Sequence, residues 1–452
     1  MPFRTLLFWT HLVAGVVAGA VIFVMSFTGA ALALQPQVLA WAERDMRVVT
    51  PPAGGEWLGA EAILARVAAA RPGEPPTGLT REHDPAAAVA VTLAPRAEPS
   101  GAAAPGGRRR GPQATAYVNP YTGAILGEVD QASFARRFFR LNTDWHRWLA
   151  VEGEGRASAR WVTGVSNAAF LVLALTGLYI WVPRAWSAGA VRAVALFRGG
   201  LSGKARDFNW HNVIGLWAGP VIVVLTFTGM CISFPKTYDV IYAVTGIERP
   251  APPGRPGAGD REQAPRPRGG TRGPRLAEAA KPQGGEIGSR LAEAVKPQGG
   301  EIGPRLAEAA KHQGGEGGVN AAWAVAEQQM PTWRSIAMRL PDGAGRDISF
   351  TMNERGRLNS RARSTLTVDA ATAAVVEWTP WDATPAAQRL RTWMRFGHTG
   401  ELWGLPGQII AGLASAGGCV LVWTGLALAW RRFTAWRGRR GRLSTPAARQ
   451  AA

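Results

Sequence analysis

WTHLVAGVVAGAVIFVMSFTGA (residues 9–30) and WHNVIGLWAGPVIVVLTFTGM (residues 210–230) decide the reading of this chain. Each is a long apolar run with one histidine at its mouth. His11, Gly15, Gly19 and Phe27-Thr28-Gly29 recur as His211, Gly215, Gly219 and Phe227-Thr228-Gly229, every position offset by 200 residues without a gap. Chance rarely produces such a match, so the chain reads as internally duplicated. Two further runs echo each other more loosely, ending LTGLYIWVPR (175–184) and WTGLALAWRR (423–432).

The four runs, roughly 6–34, 161–182, 210–234 and 405–430, each meet the ~20 residues that a hydrocarbon core requires. Many of the 19 tryptophans flank them, as an aromatic belt does. The expectation is an integral membrane protein with a four-helix transmembrane bundle. The first run has Arg4 before it and ALA at 31–33, which resembles a cleavable signal. Its apolar stretch is longer than the usual ~7–15 residues of a signal, so it is read as a retained anchor. Arg184, Arg192, Arg198, Lys204 and Arg206 between the second and third runs, and RRFTAWRGRRGR after the fourth, place those segments in the cytoplasm. Both termini are then cytoplasmic, and the two long connections are periplasmic in a bacterial inner membrane. Net charge of +19 is partly this bias, and no nucleic-acid motif gives it another meaning. Cys231 and Cys419 both fall inside spans, as small buried residues.

The expected organisation is a cytoplasmic N-terminus and first helix (1–34), an outer module (35–140), a His146 segment and second helix (141–183), a cytoplasmic loop (184–208) and a third helix (209–234). A second outer module (235–394), a His398 segment and fourth helix (395–430), and a basic tail (431–452) complete it. In the first outer module, GAEAILARVAAARPG (59–73) has helical periodicity, AVAVTLA (88–94) reads as a strand, and AYVNPYTGAILGEV (116–129) as a hairpin. The second offers NAAWAVAEQQMP (320–331), RDISFTM (346–352) and STLTVDAATAAVVEW (364–378), the last lacking the Asn-Pro and Thr-Gly turn and expected to be a degenerate hairpin. Each is a small α+β module. GAAAPGGRRRGPQ (101–113) reads as an exposed loop. Residues 274–318 are three copies of a 15-residue Pro/Gly-punctuated repeat that cannot bury a core, and His312 merely replaces a repeat proline.

Four of the six histidines mark span entrances: His11 and His211 toward the cytoplasm, His146 and His398 toward the periplasm. Two imidazoles at each membrane face suit two b-type haems, whose low-spin iron takes two axial histidines from facing helices. Gly15, Gly19, Gly215 and Gly219 follow their histidines on the same helical face, clearing room for a flat macrocycle or for close helix packing. Arg147, and Arg391 or Arg395, suit haem propionates or interfacial snorkelling. Proton or ion conduction is the competing use of intramembrane histidines, weakened by the absence of acidic residues inside the runs.

These spans, together with DWHRWL (144–149), GHTGELWGLPGQ (397–408) and YVNPYTG (117–123), resemble the PepSY-associated transmembrane helix family of iron-regulated membrane proteins, which includes siderophore-iron reductases. The resemblance implies PepSY-like outer modules, two haems held by His11, His146, His211 and His398, and a ferric siderophore or other ferric chelate as electron acceptor. Fe(II) carries less charge than Fe(III), so hard oxygen chelators release it. Arg137 and Arg140 near the exit would steer an anionic chelate. No GxGxxG loop for a flavin or nicotinamide reductase is present, so a quinol or a separate flavoprotein is the expected donor. Two alternatives compete. One is a non-enzymatic anchored PepSY protein that restrains a periplasmic peptidase or senses the envelope. The other is a haem or iron permease, for which the spans offer little polar lining beyond Ser26, Ser166, Asn167, Thr176 and Gln408.

Overall fold

The structure is a computed structural model and describes residues 3–95, 114–182, 187–248, 317–341 and 345–443. The 101–113 loop, His312 and nearly all of the 15-residue repeats lie outside the described residues. In chain order, α1 (Phe3–Ala33), α2 (Gln35–Ala42), α3 (Arg44–Arg47) and α4 (Ala60–Ala70) precede β1 (Pro76–Glu82), β2 (Val89–Leu93), β3 (Thr115–Val118) and β4 (Ile125–Glu128). Then come α5 (Phe134–Trp148), α6 (Arg156–Trp181), α7 (Ala188–Ala195), α8 (Gly203–Ser233) and α9 (Thr237–Thr245). The remainder is α10 (Val319–Gln329), β5 (Trp333–Arg339), β6 (Asp347–Glu354), β7 (Arg363–Asp369), β8 (Val375–Thr379), α11 (Ala386–His398) and α12 (Gly404–Leu443).

Among the described residues, α1, α6, α8 and α12 are the helices long and apolar enough to cross a membrane. They form a square in which α1 and α8 each pack between α6 and α12, so α1 and α8 occupy opposite corners. Two short helices brace one end of the square, α5 against α1 and α11 against α8. α5 carries Phe134, Phe138, Leu141 and Trp145 exposed along one face at helical spacing. Beside the last turns of a span, with arginines on its flanks, that row suits the bilayer interface. The α5 helix ends where Leu149 and Ala150 both take left-handed φ values of 51° and 57°. This turn folds the chain back into α6.

Beyond α5 and α11 lies one eight-stranded antiparallel sheet, in the order β4-β3-β2-β1-β5-β6-β7-β8. Each half contributes a four-stranded meander, and the halves join edge to edge where β1 pairs with β5. Gly78 makes that seam possible, because a Cβ there would meet the Met338 carbonyl oxygen at 2.6 Å. One helix from each half covers the sheet. Ala60, Ile63, Leu64 and Val67 on α4 and Val319, Ala322, Trp323 and Ala326 on α10 are buried at the i, i+3, i+4, i+7 spacing of a single helical face. Arg81 is buried at the seam between the Trp57 and Trp323 rings, 5.1 Å from each, and donates to the Leu58 carbonyl.

The second hairpin is not degenerate. Asp369 Oδ1 accepts from the Ala371 and Thr372 amides as Asn119 Oδ1 does from Tyr121 and Thr122. Asp replaces Asn without loss because the turn needs only an acceptor oxygen. Where the first hairpin has Gly123 at φ 71°, the second forces Ala373 to φ 56°.

Polar contacts lock the helices to one another. Glu43 is buried between Arg136 and Arg47, at 2.5 and 2.6 Å. Burial alone would raise its carboxyl, but these guanidiniums outweigh that and hold it below the ordinary glutamate value. Gln408 donates to the Ala33 carbonyl, capping the end of α1. At the opposite end of the bundle, buried Asp207 pairs with Arg206 and with Arg431 on α12.

Candidate functional site

The four histidines predicted from the sequence come together as two pairs. His11 of α1 and His211 of α8 face each other from opposite corners of the bundle, ring centres 6.3 Å apart and planes at 86°. His146 of α5 and His398 of α11 form the second pair, 6.2 Å apart with planes at 53°. His146 precedes its span by a full connection, yet α5 doubles back along α1 and delivers it to the level of Met25 and Thr28. Seventeen residues of α1 separate His11 from Thr28, so the pairs lie roughly 25 Å apart along the bundle.

Each imidazole is seated by a Thr-Gly dipeptide on a neighbouring helix. Nδ1 of His11 lies 3.0 Å from Thr176 Oγ1, and that of His211 lies 2.9 Å from Thr424 Oγ1. The corresponding distances are 3.0 Å from His146 to Thr28 and 3.2 Å from His398 to Thr228. Each threonine hydroxyl donates its own proton to the carbonyl four residues earlier, at 2.7, 2.6, 2.7 and 2.7 Å for Thr28, Thr176, Thr228 and Thr424. Its oxygen is therefore left to accept from the ring. In the outer pair a backbone carbonyl three residues before the threonine takes the same Nδ1–H, Met25 at 3.0 Å for His146 and Leu225 at 2.8 Å for His398. These carbonyls only accept, and all four threonine hydroxyls have given their own proton away, so the four rings carry their proton on Nδ1. Nε2 then holds the lone pair, which is the tautomer a metal requires.

The glycine of each dipeptide makes room for the ring. A Cβ at Gly29, Gly177, Gly229 or Gly425 would stand 3.3, 3.2, 3.0 or 3.4 Å from the Cε1 of His146, His11, His398 or His211 respectively. The sequence had shown these dipeptides as marks of repetition, while their role as seats was not read. The available signal was that all four runs end in Thr-Gly.

The spacing of the rings is that of two imidazoles on one metal atom. Bonds of about 2.0–2.1 Å on each side, with ring centres about 1.1 Å behind the ligating nitrogens, put trans imidazoles roughly 6.3 Å apart. No cluster of three or more His, Cys, Asp or Glu side chains suited to a metal occurs among the described residues. A two-imidazole site suits an ion whose remaining ligands come from a planar macrocycle, which is the donor set of b-type haem. The residues present therefore fit that group.

The other predicted residues sit as follows. Gly15 and Gly215 face Leu173 and Leu421 and Gly19 faces Val422 and Leu426, all at 3.6–3.7 Å from where a Cβ would stand, which is ordinary contact; at Gly219 a Cβ would meet Leu178 at 2.8 Å, so of the four it is this glycine that lets a neighbouring helix close. Arg147 is exposed with its guanidinium 4.5 Å from the Trp148 ring. Arg391 donates to the Tyr242 hydroxyl at 3.1 Å, and Arg395 lies against Phe396. Arg137 and Arg140 are on α5.

No curated protein matches the chain. The family model described as the PepSY-associated TM region matches residues 8–432, from the first span to the end of the fourth. This protein is therefore a membrane protein of the PepSY-associated TM family.

Proposed function

We propose that the chain is a b-type dihaem protein of a bacterial inner membrane that passes electrons outward to a ferric chelate such as a ferric siderophore. The observation that carries this reading is the pair of imidazole couples, each at the separation of a bis-histidine iron and each with Nε2 free. Haem bound at the two couples supplies one-electron carriers at two depths of the bilayer. His11 and His211 would hold the inner group, His146 and His398 the outer one. The threonines and carbonyls fix the ligand tautomer and orientation. The apolar square of helices excludes water from both sites.

Arg192 and Arg198 before α8, Lys204 and Arg206 in its first turn, and Arg431, Arg432, Arg437, Arg439 and Arg440 on α12 support a cytoplasmic location for the His11/His211 end. The sheet is then periplasmic. A quinol or a separate flavoprotein is the donor class. The matching order of helix, strands and spans in each half, with the 200-residue offset, supports a duplication.

The test is a dithionite-reduced minus oxidised visible spectrum of the purified protein, with haem counted per chain. Two haems are expected. His11→Ala or His211→Ala should remove one, and His146→Ala or His398→Ala the other. A folded, colourless protein made with ample haem would overturn the reading and turn attention to the sheet as a binder of envelope peptides or a peptidase.

A further inference from the structure

Phe396, two residues before His398 on α11, is ringed by cations. The guanidinium carbons of Arg361, Arg395 and Arg363 lie 5.1, 5.5 and 5.9 Å from its ring centre. Arg361 comes from the connection between β6 and β7, Arg363 from β7 and Arg395 from α11, so the cluster bridges the sheet and the bundle. Glu401 answers one of these charges by pairing with Arg361. Arg363 and Arg395 have no ion-pair partner among the described residues. Arg363 is exposed as a residue, and partial desolvation of its guanidinium, followed by the charges of Arg361 and Arg395, pulls its pKa below the ordinary arginine value, with Glu401 opposing.

The fold does not require this arrangement. When the histidines of the two halves are aligned, the position of Phe396 is taken by Asp144, whose carboxylate lies 3.7 Å from Arg156. The position of Arg395 is taken by Thr143, whose hydroxyl donates to the Phe139 carbonyl. One half thus carries a compensated acid where the other gathers three guanidiniums on an aromatic face. Aromatic faces hold guanidiniums without neutralising them, and their planar forks match carboxylates bidentately.

We propose that Arg361, Arg363 and Arg395 form a binding site for the carboxylates of an anionic ferric chelate, placed beside the His146/His398 pair. The identity of the ligand as a ferric chelate rests on the electron-transfer reading, whereas the anion site rests on the arginines alone. Phosphate headgroups of anionic lipids share the same oxyanion chemistry and are separated from a chelate by the lipid arm of the test.

Gallium(III) citrate is the probe, because it copies a carboxylate-rich ferric chelate without accepting an electron. It is titrated by calorimetry into the full-length protein in zwitterionic nanodiscs. Saturable binding is expected, weakened about tenfold or more by Arg363→Gln with Arg395→Gln. Arg363→Lys with Arg395→Lys should recover part of the affinity, since the charge stays and the fork is lost. Absence of saturable binding, or equal affinity in the glutamine variant, would overturn the proposal. So would its abolition when phosphatidylglycerol replaces the neutral lipid, because the headgroup is then the occupant. A colourless protein that still binds gallium citrate through these arginines would retire the electron-transfer reading and leave the anion site standing.

Discussion

A threonine that gives its proton to its own helix has one useful property left, an oxygen that can only accept. Thr28, Thr176, Thr228 and Thr424 all use it on a histidine from another helix. Sharing the Nδ1–H with this oxygen makes the imidazole more electron-rich at Nε2, which favours the ferric state of a bound iron. Thr424→Val keeps the shape and removes the acceptor from His211. Loss of about 0.5 kcal/mol of this interaction corresponds to about 20 mV for one electron, so the midpoint of a haem held as proposed by His11 and His211 should rise by this amount. Redox titration should find the other haem unmoved. The histidines themselves were legible in the sequence, because a polar ring at the mouth of an apolar run is conspicuous and the 200-residue offset doubled the signal. Their seats were not. Each lies 118–213 residues away on another helix, and only the folded bundle shows which dipeptide serves which ring.

At the scale of elements, the two hairpins β3–β4 and β7–β8 solve one turn with different residues. Ala373 occupies a left-handed conformation that its Cβ disfavours, and Gly123 serves at the equivalent place in the first hairpin. Ala373→Gly relieves that clash while loosening the unfolded chain, for a net gain of about 0.5–1 kcal/mol. The melting temperature followed by far-ultraviolet circular dichroism should rise, and an unchanged or lower value would contradict the strain. Helices α4 and α10 were legible from their apolar periodicity, and so were strands β2, β3, β6 and β7 from alternation. β1 was not legible, since Pro76 and Gly78 are residue types that disfavour a strand interior. Here Pro76 opens the strand, and Gly78 admits a neighbouring carbonyl. β5 was missed with it, since its partner across the seam is what gives the segment its place.

On the scale of the whole molecule, two modules expected as separate units share one sheet. The β1–β5 seam therefore couples the halves on the sheet side, where α5 and α11 hold His146 and His398. At the far end the couple His11/His211 depends on the four spans alone. Gly78→Val drives side-chain atoms into the Met338 carbonyl and should cost about 2–3 kcal/mol of sheet stability. Limited proteolysis should then cut the sheet readily, while a haem held as proposed by His11 and His211 should stay bound. Equal loss of both haems would show that the sheet supports the entire bundle.

Each histidine couple takes one ring from either half, and this sets a timetable for biosynthesis. A nascent chain that has emerged as far as residue 300 has His11, His146 and His211 but no partner for His146. It also lacks Thr424, which orients His211. The outer couple has all its ligands and seats once His398 has been made, whereas the inner one waits until the ribosome has passed Thr424 and Gly425 in the last span. Completion of the inner site thus belongs after insertion of the fourth helix, and a chain truncated between His398 and Thr424 should leave the translocon with the outer couple's ligands and seats present and the inner couple unfinished.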